Sequence, residues 1–168
     1  LAALKHPSPT IREWTARVLG DRNELPPRLS EALIAQARVE TDVRVRAQMA
    51  SSARRLPAAP ALSLVDALAG HDADVTDPFV PLLCWWALES HLAKDRDAVL
   101  ALFQSPTLWD RPLVREHLLP RLMRRFAVEG RRQDLLVCAR LLRAAPSTNH
   151  TAQLMKGFEE AYRGRAMS

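Results

Sequence analysis

Five histidines, two cysteines and 19 Asp and Glu residues are the groups in this 168-residue chain that could bind a metal, attack an electrophile or move a proton. Their spacing favours none of these chemistries. His6, His71, His91, His117 and His150 each lack another His or Cys three or four residues away, so the same-face pairing of a helical metal site is missing. Cys84 and Cys138 sit far apart in apolar helical runs and read as buried free thiols. The nearest thing to an acid–base pair is Asp72/Asp74 or Glu159/Glu160. Residues 72–77 precede a helix, where acids cap the first turn and favour its dipole. There is no Gly-x-Ser-x-Gly, Walker-type phosphate loop or dinucleotide fingerprint. The expectation is a segment that is not an enzyme, with no catalytic, cofactor-binding or metal residues.

Two groups of residues suit binding instead. Arg121, Arg124 and Arg125 share a helix face by their spacing of three and four, and Arg131 and Arg132 follow. Residues 111–168 carry 12 Lys and Arg against 5 Asp and Glu, net +7, whereas residues 1–110 carry 12 against 14, net −2. Such a patch fits an acidic protein partner or nucleic acid. Only Phe126 interleaves with the arginines, so stacking on a single strand is disfavoured. Glu129 offsets part of the charge, four residues after Arg125. Trp85 and Trp86 are adjacent, about 100° apart around a helix. One is expected in the core and the other at a repeat interface or on the surface, and the functional reading makes one of them an aromatic anchor for a partner. These seven residues form the candidate interaction surface. Trp14 and Trp109 are expected to pack at helix interfaces.

The elements that must position them are helices. Ala and Leu are the two commonest residue types and Arg is the third, whereas Ile and Val together reach only half the count of Leu, and Gly is scarce. That composition excludes an all-β fold, a disordered chain and a disulfide scaffold. No apolar run approaches the roughly 20 residues of a membrane span. The longest, residues 79–88, contains Pro81 and reads as a buried helix.

The chain also repeats. Ser8-Pro9-Thr10-Ile11-Arg12 recurs as Asp42-Val43-Arg44-Val45-Arg46, then Asp77-Pro78-Phe79-Val80-Pro81, then Arg111-Pro112-Leu113-Val114-Arg115. The apolar markers Ile11, Val45, Val80 and Val114 recur at a nearly constant interval of about 34 residues, within the range of helical-hairpin repeats. Each opens an apolar stripe at helical spacing and is followed by a break and a second helix, expected at about 27–39, 60–69, 96–104 and 132–144. Asp42 and Ser8 are expected to cap their helices, as Ser147 or Thr148 caps a last one at about 148–163. The opening Leu-Ala-Ala-Leu-Lys reads as the end of a helix, so the chain is expected to be one domain, residues 1–168, of a longer protein.

Paired helices on this period, with Val/Ile-Arg three residues after an Asp or Ser, resemble HEAT repeats. The resemblance implies an all-α, α-α superhelix: repeats at about 8–39, 42–70, 77–104 and 111–145 plus the terminal helix. It also implies that Arg12, Arg46 and Arg115 link neighbouring repeats, while Pro81 breaks the series. Three stretches resemble a narrower family. They are His6-Pro7-Ser8-Pro9-Thr10-Ile11-Arg12, Val80-Pro81-Leu82-Leu83-Cys84-Trp85-Trp86-Ala87-Leu88-Glu89 and Lys156-Gly157-Phe158-Glu159-Glu160-Ala161. They look like the HEAT segment of planctomycete-type bacterial proteins akin to membrane-bound dehydrogenases, which join a propeller, HEAT repeats and a c-type haem domain. No Cys-x-x-Cys-His occurs here, so the haem is not expected on this segment. The resemblance implies a non-catalytic, monomeric scaffold for other domains of the same chain or a protein partner, periplasmic or exported. The competing reading is a HEAT-like nucleic-acid-binding domain that uses the basic last third.

Overall fold

In the computed structural model, residues 1–164 are described, and among them there are ten α-helices and no strand. They are α1 (Pro9–Asp21), α2 (Pro27–Val39), α3 (Val43–Ala53), α4 (Ala58–Leu68), α5 (Val80–Leu92), α6 (Arg96–Leu102), α7 (Pro106–Trp109), α8 (Leu119–Glu129), α9 (Arg132–Ala144) and α10 (Thr148–Tyr162). Short 3-10 turns occupy Ala2–Lys5 and Asp72–Thr76. The second helices expected from periodicity end within two residues of α2, α4, α6 and α9.

Local chemistry sets the boundaries. Proline takes an early position in α1, α2, α5 and α7, where its missing N–H costs nothing. The Asp42 carboxylate caps α3 by accepting from the Arg44 and Val45 N–H groups. Asp77 does the same for Phe79 and Val80 at the start of α5. The expected Ser8 and Ser147 caps do not form. The Ser8 N–H donates to His6 Nδ1, and the Ser147 hydroxyl meets His150 Nδ1. Gly130, at φ 64°, ends α8 in the left-handed region.

Packing runs in two rows. α1 packs on α3 and α3 on α5, while α2 packs on α4 and α4 on α6. α5 is buried on most sides through Val80, Cys84, Trp85, Ala87, Leu88 and Leu92, as befits a helix apolar almost all round. The C-terminal part is built differently. Val114–Leu118 is a π-helical turn that leads into α8. Pro120, second residue of α8, has no N–H to close the preceding α-turn, and the wider turn absorbs that loss. α10 then crosses α8 closely. A Cβ on Gly157 would lie 2.0 Å from the Pro120 carbonyl oxygen.

The apolar stripe on α1 does not share the fate of its repeats. Val45, Val80 and Val114 are fully buried, whereas Ile11, Trp14 and Val18 are 40%, 58% and 57% exposed. Among the described residues no helix covers that face of α1. Trp14 stacks with the Arg17 guanidinium 5.2 Å above its ring instead of packing at an interface. Trp109 is buried.

Gly157 and Gly130 separate close approach from backbone strain. Gly157→Ala has rigid backbone in its way and should cost about 2–4 kcal/mol. Gly130→Ala meets open space and should cost about 1 kcal/mol from its positive φ alone. Urea denaturation of the two variants checks the order.

Candidate functional site

Two arrangements involve the residues singled out above. The first is a buried ion-pair ladder. Arg12 places Nε 2.8 Å and Nη2 2.6 Å from the two carboxylate oxygens of Glu40. Arg46 repeats the geometry on Asp74 at 2.6 and 2.5 Å. In each pair the acid lies 28 residues after the arginine. The third nitrogen, Nη1, donates to a carbonyl six residues upstream: His6 for Arg12, at 2.8 Å, and Glu40 for Arg46, at 2.9 Å. Each guanidinium therefore ties the loop entering its helical hairpin to the loop leaving it. Glu40 belongs to both rungs, since its carboxylate receives Arg12 and its backbone carbonyl receives Arg46.

The Arg12–Glu40 rung is built to stay ionised. Burial opposes the charge on Glu40, but hydrogen bonds from Arg12, the Asp42 N–H and Gln36 outweigh it and lower the carboxyl to about 2. The hydrogen bond to Glu40 raises the Arg12 pKa, and that to Asp74 raises the Arg46 pKa. Bidentate pairing of this kind is the strong form of the interaction. Arg115 does not make such a rung. It bonds Glu116 at 3.0 Å beside it and the Asp110 carbonyl at 3.4 Å. The position where the same offset would place its acid, 143, is an arginine. In the third repeat, positions 81 and 109 are Pro and Trp. Neither acid partner was singled out by its motif, although the constant offset was present in the sequence.

Two further long-range arginine–acid pairs, Arg111 with Asp66 at 2.8 Å and Arg96 with Asp134 at 2.7 Å, lack the bidentate form and the 28-residue offset, and other long-range bonds are made by histidines. His71 Nε2 donates to Ala37 C=O at 2.7 Å, His117 Nε2 to Val75 C=O at 2.8 Å, and His150 Nε2 to Trp109 C=O at 3.0 Å. Three of the five histidines thus act as backbone staples. Burial pushes the Cys84 thiol up to about 12, with help from the negative charge of Asp74. It carries no thiolate at neutral pH. Cys138 is likewise raised by burial.

The second arrangement is a surface groove of about 250 Å³ between α5 and α8. It joins two features that are separate in sequence: Trp85 and Trp86 from α5 with Arg121, Arg124 and Arg125 from α8. Trp85 faces the core at 7% exposure, and Trp86 stands 42% exposed in the groove. α8 turns Leu119, Leu122, Met123 and Phe126 inward, which forces the three arginines outward.

The arginines differ in availability. Arg121 donates to the His117 carbonyl at 2.9 Å. Arg125 lies between Glu89, at 3.6 Å, and Glu129, to which it also donates. That bond lowers the Glu129 pKa. Arg124 is exposed and has no ion-pair partner among the described residues. Arg131 pairs with Glu129 at 3.6 Å in the next groove, which also holds Arg96, Arg125 and Asp134. Arg132 lines neither groove. Among the described residues no three His, Cys, Asp or Glu side chains converge as metal ligands, and no helix is long and apolar enough to cross a membrane.

The chain matches no family model, no curated protein and no solved structure with which it was compared.

The ladder has a pH signature. Glu40 has a lower pKa folded, about 2, than its ordinary 4.5, so it stabilises the fold fully above about pH 5. That contribution, about 3 kcal/mol, is lost as pH falls from about 5 to 2. Glu40→Gln should be far less stable than the native chain at pH 7. The gap, measured by urea denaturation, should narrow as the pH drops through this window.

Proposed function

We propose that the chain is a HEAT-like α-α superhelix of about four and a half helical hairpins, acting as a non-catalytic scaffold. Its role is to dock an acidic, apolar-bearing segment of a protein partner or of another domain of the same chain. The superhelical reading is supported by the two rows of helices and by the Arg–acid rung that recurs from one hairpin to the next. The three stretches that resemble planctomycete-type dehydrogenase-like proteins suggest a parent that is a larger redox-type protein, exported or periplasmic.

One observation carries the docking role: an exposed Trp86 beside Arg121, Arg124 and Arg125 in a single groove. An apolar side chain of the partner covers the indole, and neighbouring carboxylates meet Arg124 and Arg121. Exposed tryptophan and arginine are the side chains most often found to dominate interface energy. A phosphate track is less well served. Arg125 and Arg131 are already engaged with Glu89 and Glu129, which an incoming phosphate would have to face.

Titration with a ten-residue peptide of Glu and Phe, beside its Lys and Phe counterpart and duplex DNA at about 50 mM salt, tests this reading. The acidic peptide should bind. Trp86→Ala and Arg124→Glu should each weaken it about tenfold or more, and added salt should weaken it further. Absence of binding up to about 1 mM peptide, or preference for DNA, would contradict the proposal.

A further inference from the structure

The second-helix row breaks between α6 and α9. α2 packs on α4 and α4 on α6, but α9 packs on α8. α6 has only seven residues, against 13, 11 and 13 in α2, α4 and α9. α6 and α9 are pinned at their N-terminal ends by Arg96, whose Nη2 lies 2.7 Å from Asp134 Oδ1. Beyond that pin α6 stops early, and a cleft of about 560 Å³ opens. This volume is in the range of small-molecule sites.

A rigid, buried aromatic cluster underlies the cleft. Phe103 and Trp109 meet edge to face at 6.5 Å, and Trp109 meets His150 in the same way at 5.8 Å. Hydrogen bonds hold the cluster in place. Trp109 Nε1 donates to the Phe103 carbonyl at 2.8 Å, and His150 Nε2 to the Trp109 carbonyl at 3.0 Å. Val137 and Leu141 of α9 form the opposite wall. The polar groups of that cluster are thus already satisfied, and the accessible apolar surface of the cleft comes from Leu100, Pro106, Ala144 and Pro146 beside the polar Asp97, Gln104 and Arg140.

The rim carries one charge from each helix, Asp97 on α6 and Arg140 on α9. They are not equivalent. Asp97 lies in the first turn of α6, where the helix N-terminus already balances it. Arg140 has no ion-pair or hydrogen-bond partner among the described residues, and Arg143 follows it on the same helix.

We infer that the α6/α9 cleft binds a small organic carboxylate with an apolar, ring-sized body, its body against Leu100, Pro106 and Pro146 above the buried Trp109 cluster and its carboxylate on Arg140. This site is independent of the α5/α8 groove and uses none of its residues.

Isothermal titration with naphthalene-2-carboxylate tests it, with 2-naphthylmethylamine as the cationic counterpart. The carboxylate should bind one to one with a Kd on the order of 100 μM. The amine should bind about tenfold or more weakly. Arg140→Gln should weaken the carboxylate about tenfold. Ala144→Trp, at an exposed position on the rim, should abolish binding without unfolding the chain, as its circular dichroism would show. No saturation by about 5 mM, unchanged binding in Ala144→Trp, or an amine as tight as the carboxylate would each overturn the inference.

Discussion

Two guanidinium–carboxylate pairs, Arg12–Glu40 and Arg46–Asp74, stand where three hairpins meet, and both arginines are less than a tenth exposed. A charge in that position is destabilising unless its partner and its remaining hydrogen bonds are all in place. Here they are: each guanidinium spends two nitrogens on the acid and the third on a carbonyl of the preceding loop. Apolar packing between short helices tolerates sliding, because one leucine contact is much like the next. A bidentate fork does not. The rungs therefore fix the register in which α1, α3 and α5 lie over one another, and with it the placement of everything α5 carries.

The ladder stops where the groove and the cleft begin. Position 81 is Pro and position 115 pairs locally, so the C-terminal hairpins rely on other devices. Gly157 lets α10 close on the Pro120 carbonyl, a π-turn accommodates that proline, and histidines staple loops to carbonyls. This half of the chain leaves Arg124 and Arg140 exposed and without an ion-pair partner among the described residues. It also tolerates a shortened α6. The groove beside Trp86 and the cleft over Trp109 both lie in this less regular half.

Much of the helix pattern was legible from spacing. The nearly constant interval between Ile11, Val45, Val80 and Val114 located the hairpins, and helical periodicity placed their second members. What escaped depended on neighbours. Glu40 gave no local signal, and Asp74 was notable only beside Asp72, because an acid at the end of a hairpin looks like any solvated loop residue until the arginine is seen to reach it. α7 and the π-turn at Val114–Leu118 answer to proline placement and crowding more than to periodicity. The stripe of Ile11, Trp14 and Val18 reads as core by spacing, and it stands exposed because no helix among the described residues packs on that face of α1. Trp86 and Arg124 belong to helices a full repeat apart, so their convergence required knowing that the fourth repeat lies against the third.

The register-fixing role of the rungs is the claim on which the scaffold reading rests. A double-mutant cycle on Arg46→Leu and Asp74→Leu, read by urea denaturation, tests it most directly. Each single change leaves one buried charge or its partner stranded and should cost about 3–5 kcal/mol. The double change removes both charges together and should recover most of that loss, giving a coupling of about 2 kcal/mol or more. Additive losses, with no coupling between the two positions, would contradict the account.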